Sequence, residues 1–201
     1  MTRPSRRAAG FTLIEIIVVI AISAILATIA IAYNTGVRDE VALSVETAKI
    51  SQTILNAKSL ALAAYTGTGG ASAVVCGYGA FFDDASNTYS IFKYVPAAGV
   101  CPSLASTTAD GVNSATEMQQ YTPATWQIPL SDGVKLVSGG SGDDLSMVLF
   151  YPPQPVTFIN TSAANPHVFG ATEGTVHLAT TDGANTSTVT VTLGGQVNYQ
   201  Q

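Results

Sequence analysis

The run FTLIEIIVVIAISAILATIAIAY, residues 11–33, limits what this chain can become more than any other stretch. It contains neither Pro nor Gly, and its 23 residues span about 34 Å as an α-helix, enough to cross a bilayer. Arg3, Arg6 and Arg7 precede it, so the positive-inside rule keeps that end cytoplasmic and sends everything after Tyr33 outward. One residue is out of place. Glu15 is the sole charged side chain in the run, and an ionised group at the centre of a bilayer costs roughly 2.5–3.5 kcal/mol on insertion scales.

After a polar break at Asn34-Thr35-Gly36 a helical pattern resumes. Val41, Val45, Ala48 and Leu55, with Ile50, Ile54 and Ala61 alongside, recur at helical spacing between polar Glu46, Lys49, Gln52 and Lys58. The spacing predicts an amphipathic helix with one face packed and the other wet, ending near GTGG at 67–70. Beyond residue 70 the texture changes to short β-branched and aromatic runs: 73–82, 88–95, 125–130, 133–138, 145–151, 155–160, 175–180 and 187–193. Turn signals DDASN, SGGSGDD, TTDGAN and LGGQ lie between them. The last run places Val189, Val191 and Leu193 on one side and Thr188, Thr190 and Thr192 on the other, as an antiparallel sheet with one buried face requires. Residues 96–124, rich in Ala, Ser, Thr, Gly and Pro, read as a surface excursion tethered by Cys101. The expected class is α+β, a long N-terminal helix packed on a mostly antiparallel sheet.

Charge narrows the function. Outside residues 1–10 the chain holds five basic and thirteen acidic side chains, a formal charge of −8. Phosphate neutralisation supplies most non-specific affinity for nucleic acid, so a DNA partner is not expected. The two cysteines, Cys76 and Cys101, allow one pairing. In an exported segment a disulfide closing a loop of about 26 residues is favoured over two buried thiols, and contributes roughly 3 kcal/mol in the chain-entropy model. His167 and His177 do not lie at metal-ligand spacing. No phosphate loop, His-Glu metal motif or nucleophile elbow is present, so neither an enzyme nor a cofactor is expected. Asp83-Asp84 and Asp143-Asp144 fall in turns and read as solvated residues, with Asp132, Asp143 and Asp144 a lesser reading as a calcium site. Asn160 and Asn185 each open an Asn-Thr-Ser glycosylation pattern, one that arises often by chance in Thr-rich sequence.

Three readings of the N-terminus compete. A secretory signal would be cut after Ala30-Ile31-Ala32 and release a soluble β domain, but its apolar core would be 7–15 residues, shorter than this one. A simple membrane anchor leaves Glu15 unexplained. The third reading accounts for both: GFTLIEIIVVIAI at 10–22 resembles the N-terminal signature of type IV pilins and type II secretion pseudopilins. The resemblance implies cleavage by a prepilin peptidase between Gly10 and Phe11, N-methylation of Phe11 by the same enzyme, and an assembly role for Glu15. After cleavage Phe11 carries a cationic amine, and Glu15 supplies the opposite charge, within one helix as an i, i+4 pair or between staggered subunits. Leaving either unpaired in an apolar core is costly, which favours correct register during assembly. One departure is that major pilins carry a helix-bending Pro where this chain has Ile31-Ala32-Tyr33.

Residues 74–94 and 145–199 loosely resemble the head of the H-type minor pseudopilins and their FimT-like relatives, which close on a strand, a Gly turn and a last short strand. The combined expectation is a leader at 1–10, a membrane and assembly helix at 11–33, its amphipathic continuation at 34–66 and a β-rich head at 67–201. Such a subunit sits in the bacterial inner membrane with its head outside the cytoplasm, then joins other pilin or pseudopilin subunits in a filament, as a minor subunit. The alternatives are a DNA-binding minor pilin serving uptake and a major pilin.

Overall fold

The computed structural model describes residues 11–66, 75–96, 101, 118–120, 127–140, 142–152, 156–161 and 171–200. The expected leader with Gly10, the glycine stop at 67–70, His167 and most of the 96–124 excursion lie outside the described residues.

Helix α1 (Leu13–Thr66) runs for 54 residues. The break expected at Asn34-Thr35-Gly36 does not occur, for the helix continues through it. One helical glycine costs about 1 kcal/mol relative to Ala, too little to interrupt good helix formers on both sides. The chain divides into two compact units, Met1–Arg38 and Asp39–Gln201.

In the second unit Leu43, Thr47, Ile50, Ile54, Ala57 and Ala61 form a buried stripe along α1, at alternating steps of four and three. The face expected from sequence is therefore corrected. Ile50, Ile54 and Ala61 are buried as expected, but Val41, Val45, Ala48 and Leu55 are exposed. Those four lie on a separate line, with Val41 roughly 200° around the helix from Leu43 at about 100° per residue. Periodicity recognises an apolar stripe; with two of them present, it cannot say which meets the sheet.

Among the described residues ten strands follow: β1 (Gly77–Asp83), β2 (Thr88–Tyr94), β3 (Met118–Gln120), β4 (Ile128–Pro129), β5 (Val134–Val137), β6 (Met147–Tyr151), β7 (Val156–Asn160), β8 (Glu173–Thr180), β9 (Thr186–Thr192) and β10 (Val197–Gln200). One sheet has the order β3-β2-β1-β6-β7, with β4 also paired to β2. The second has the order β10-β9-β8-β5. Every strand pairing is antiparallel, so the α+β architecture, a long helix packed on antiparallel sheet, is the one present. Strand β3 was not expected; its sequence MQQ carries no apolar alternation, and pairing with Phe92–Tyr94 makes it a strand.

The β1–β2 turn shows local chemistry at work. Asp83 Oδ1 accepts the Ala85 N–H at 3.1 Å, its Oδ2 accepts the Ser86 hydroxyl at 2.6 Å, and Asn87 takes φ 52°, a conformation Asn tolerates. Gly79 on β1 leaves room for the partner strand, because a Cβ there would collide with the Val148 carbonyl oxygen and the Phe92 ring.

The main core draws on α1 and both sheets: Ile50 and Ile54 meet Ala80, Phe82, Val148, Phe150, Leu178, Val189 and Val191 in one cluster. A second cluster holds Cys76, Phe92, Tyr94, Met147, Leu149 and Tyr151. Strand β6 divides between them by the period of two, Val148 and Phe150 to one and Met147, Leu149 and Tyr151 to the other, which explains its unbroken apolar sequence.

Candidate functional site

At the N-terminal end of the described chain, Phe11 and Thr12 precede α1, and Glu15 sits in its first turn. The Glu15 N–H donates to the Thr12 carbonyl oxygen at 3.1 Å and faces the Thr12 hydroxyl at 3.4 Å. The Ile16 N–H reaches the same carbonyl at 3.3 Å. Thr12-Leu13-Ile14-Glu15 thus has the spacing of a capping box, with the hydroxyl residue at the cap and the carboxylate three positions on. The sequence reading missed this role, although the Thr-x-x-Glu pattern before an apolar run was there to find. A carboxylate at this position also complements the positive end of the helix dipole.

Every side chain from Phe11 to Ala30 is exposed, including Phe11 at 79% and Ile14 at 70%. Leu13–Ala30 is long and apolar enough to cross a membrane. An apolar surface of that extent needs lipid or other helices around it. Gly10, the residue before the expected cut, lies outside the described residues.

Cys76 and Cys101 are joined, with their Cα atoms 5.4 Å apart. Cys76 is buried against Phe92, Tyr94, Met147 and Leu149, so the bridge ties residue 101 to the second core cluster. The alternative of two buried thiols is set aside.

Glu46, expected on the wet face of α1, is 1% exposed. Its Oε1 accepts the Lys49 ammonium at 2.7 Å and the Ser131 hydroxyl, while its Oε2 is buried with no hydrogen-bond partner. Burial first, and then the nearby Glu46 charge, push the Tyr89 phenol up to about 12.

The acidic turns are not equivalent. Asp143 and Asp144 converge on His177, which β8 carries opposite Val137 of β5. His177 Nε2 lies 3.6 Å from Asp144 Oδ1 and 4.0 Å from Asp143 Oδ1. Asp132 is not part of this group, so the set weighed from sequence is only partly assembled. The carboxyl of Asp84 is pushed up by desolvation, then by the charges of Asp144 and Asp83, with His177 opposing. Asp84, an exposed residue, thus feels the charges of Asp144 and His177. No sequence spacing links these groups, since 33 positions separate Asp144 from His177. Of the two glycosylation patterns, Asn160 is fully buried, with its Oδ1 accepting the Ser146 hydroxyl at 3.0 Å, whereas Asn185 is exposed.

Compared with known families, residues 5–31 match the prokaryotic N-terminal methylation motif. The match spans Gly10, Phe11 and Glu15 and most of the apolar run. No curated protein and no solved structure matches the chain, so the H-type resemblance of the head is not confirmed.

Proposed function

We propose, on the strength of the N-terminal methylation motif, that the chain is a member of the type IV pilin and pseudopilin family and a minor structural subunit of a filament. Prepilin peptidase cuts between Gly10 and Phe11, removing residues 1–10, and methylates the new N-terminus. Residues 11–33 hold the subunit in the inner membrane and residues 34–66 continue the helix. The β-rich head, 67–201, lies outside the cytoplasm. Extraction into a type IV pilus or a type II secretion pseudopilus follows, and the chain performs no catalysis.

The observation carrying this reading is the placement of Glu15: a charged side chain, exposed, one helical turn from Phe11, in a span where no described side chain is buried. A carboxylate in such a surface needs a cationic partner, and the processed amine of a neighbouring subunit supplies one. A second support is the exposed line of Val41, Val45, Ala48, Leu55 and Leu62, apolar surface available to neighbouring subunits. The acidic balance outside the leader weighs against DNA uptake.

The capping geometry makes a sharp test available. Glu15→Gln keeps a residue that serves a capping box but removes the charge, whereas Thr12→Ala removes the cap hydroxyl and keeps the charge. Both variants should insert in the membrane and lose the leader, which mass spectrometry of the N-terminal peptide reads together with its methylation. Filament incorporation should collapse for Glu15→Gln and persist for Thr12→Ala. Normal incorporation of Glu15→Gln would remove the charge-docking argument. A mature terminus at Tyr33 would remove the filament reading altogether.

A further inference from the structure

We propose that Asp143, Asp144 and His177 form a binding site in the head for a divalent transition-metal ion of the zinc class. Each offers one donor atom, and all three donors lie within 4.8 Å of one another. The imidazole is held by β8, and the two carboxylates by a short backbone clamp beside it. The Thr175 N–H donates to the Asp143 carbonyl at 2.8 Å, and the Leu145 N–H donates to the Thr175 carbonyl at 2.8 Å. Asp144 and Thr175 form an isolated parallel bridge, two residues before His177. The ligands therefore project from paired backbone, which is how a site keeps its geometry before the ion arrives.

His177 Nε2 is buried and has no hydrogen-bond partner, although the side chain as a whole is 20% exposed. The Asp144 and Asp143 carboxylates stand 3.6 and 4.0 Å away, beyond hydrogen-bond reach, and a metal bond would satisfy the buried nitrogen. The loop over it is shaped to the ring: a Cβ on Gly139 would collide with the imidazole, so only glycine lets the chain pass this close. Gly140 and Gly142, with φ 73° and 77°, carry the chain around the turn.

Outer contacts fix the carboxylate. Asp144 Oδ2 accepts the Ser138 hydroxyl, and its Oδ1 accepts the Gly139 N–H at 2.6 Å. Such partners orient a ligating carboxylate before binding. Asp84 adds negative potential felt at Asp144.

The donor set selects the ion. Calcium takes six to eight oxygens and magnesium an octahedron of oxygens, whereas an imidazole with two carboxylates suits zinc and its neighbours. Zinc bonds of about 2.0–2.2 Å require donors roughly 3.4 Å apart, so the 3.6 and 4.0 Å separations close with small carboxylate rotations. Three protein donors leave one position for water. The ion joins the Ser138–Asp144 loop to β8 and so holds one edge of the head.

The test uses the untagged, processed full chain in detergent micelles, stripped with a chelator and dialysed. Zinc chloride, titrated against a chromophoric chelator, should bind at one ion per chain and raise the melting temperature, while calcium and magnesium do neither. X-ray absorption of the zinc complex should report one imidazole among oxygen neighbours. His177→Gln and Asp144→Asn should weaken binding by roughly 100-fold or more, and Ser138→Ala by about tenfold, with apo far-UV circular dichroism unchanged. Absence of saturable zinc binding by the wild-type chain, a zinc environment without imidazole, or calcium binding in preference to zinc would each overturn the proposal.

Discussion

The two ends of one helix, compared, show what surrounds each. From Leu13 to Ala30, α1 is apolar on every side and no described side chain is buried. From Leu43 to Ala61, α1 alternates between a buried stripe and an exposed one. The difference is solvent. Lipid accepts apolar groups in all directions, so the first stretch needs no stripe, while the second must divide its faces between protein and water. The two carboxylates follow the same logic. Glu46 is enclosed and held by Lys49 and Ser131, whereas the Glu15 side chain is exposed and, in the proposed filament, pairs with the processed amine of another subunit. One charge is settled by this fold, and the other is left exposed by it.

The comparison breaks most clearly under truncation. Phe150→Ala should cost the head about 3–5 kcal/mol, because the ring is fully buried between α1 and the sheets. Ile17→Ala, an exposed residue of the apolar run, should leave head unfolding unchanged in micelles. Equal losses in chemical denaturation would mean that Ile17 packs on the head. Next comes the bridge: replacing Cys76 and Cys101 with Ser should lower head stability by about 2–4 kcal/mol, with membrane insertion unaffected. Two freely alkylated thiols in the native protein would exclude the link.

Alkaline pH sharpens the contrast through Tyr89. Its folded-state phenol is raised to about 12, so the neutral form is the one that the fold favours. The stabilisation it contributes is complete below its unfolded value near 10 and is lost as pH rises through about 12. The head should lose stability across that window, and Tyr89→Phe should flatten the decline; an unchanged profile would count against the enclosed phenol. The smallest effect belongs to the exposed stripe. Leu55→Gln should alter head stability by no more than about 0.5 kcal/mol, yet lower filament incorporation, as read from sheared filaments. A large stability loss would mean that Leu55 packs within the subunit.

Much of this protein is written in local sequence. The membrane-length helix, the basic residues before it and Glu15 four positions after Phe11 all lie within 33 residues, where composition and spacing suffice. The strands were legible because β-branched and aromatic runs alternate with Gly, Asp and Asn turns: TYSIFKYV became β2 and STVTVTL became β9 within a residue or two. The pairing of Cys76 with Cys101 followed from there being two cysteines and from the expected export of the head. Tertiary structure decided the rest. Which apolar stripe of α1 meets the sheets depends on what packs there, so Val41 and Leu55 were misassigned and Glu46 was placed in water. Strand β3 exists because the edge of β2 accepts it. The approach of Asp143 and Asp144 to His177 depends on the backbone bridge at Thr175, which joins positions over thirty residues apart. Sequence fixes what can be settled between neighbours along the chain, by helical period, turn chemistry and charge. Contacts between distant segments depend on which surfaces exclude water together, and that is set only when the whole head packs.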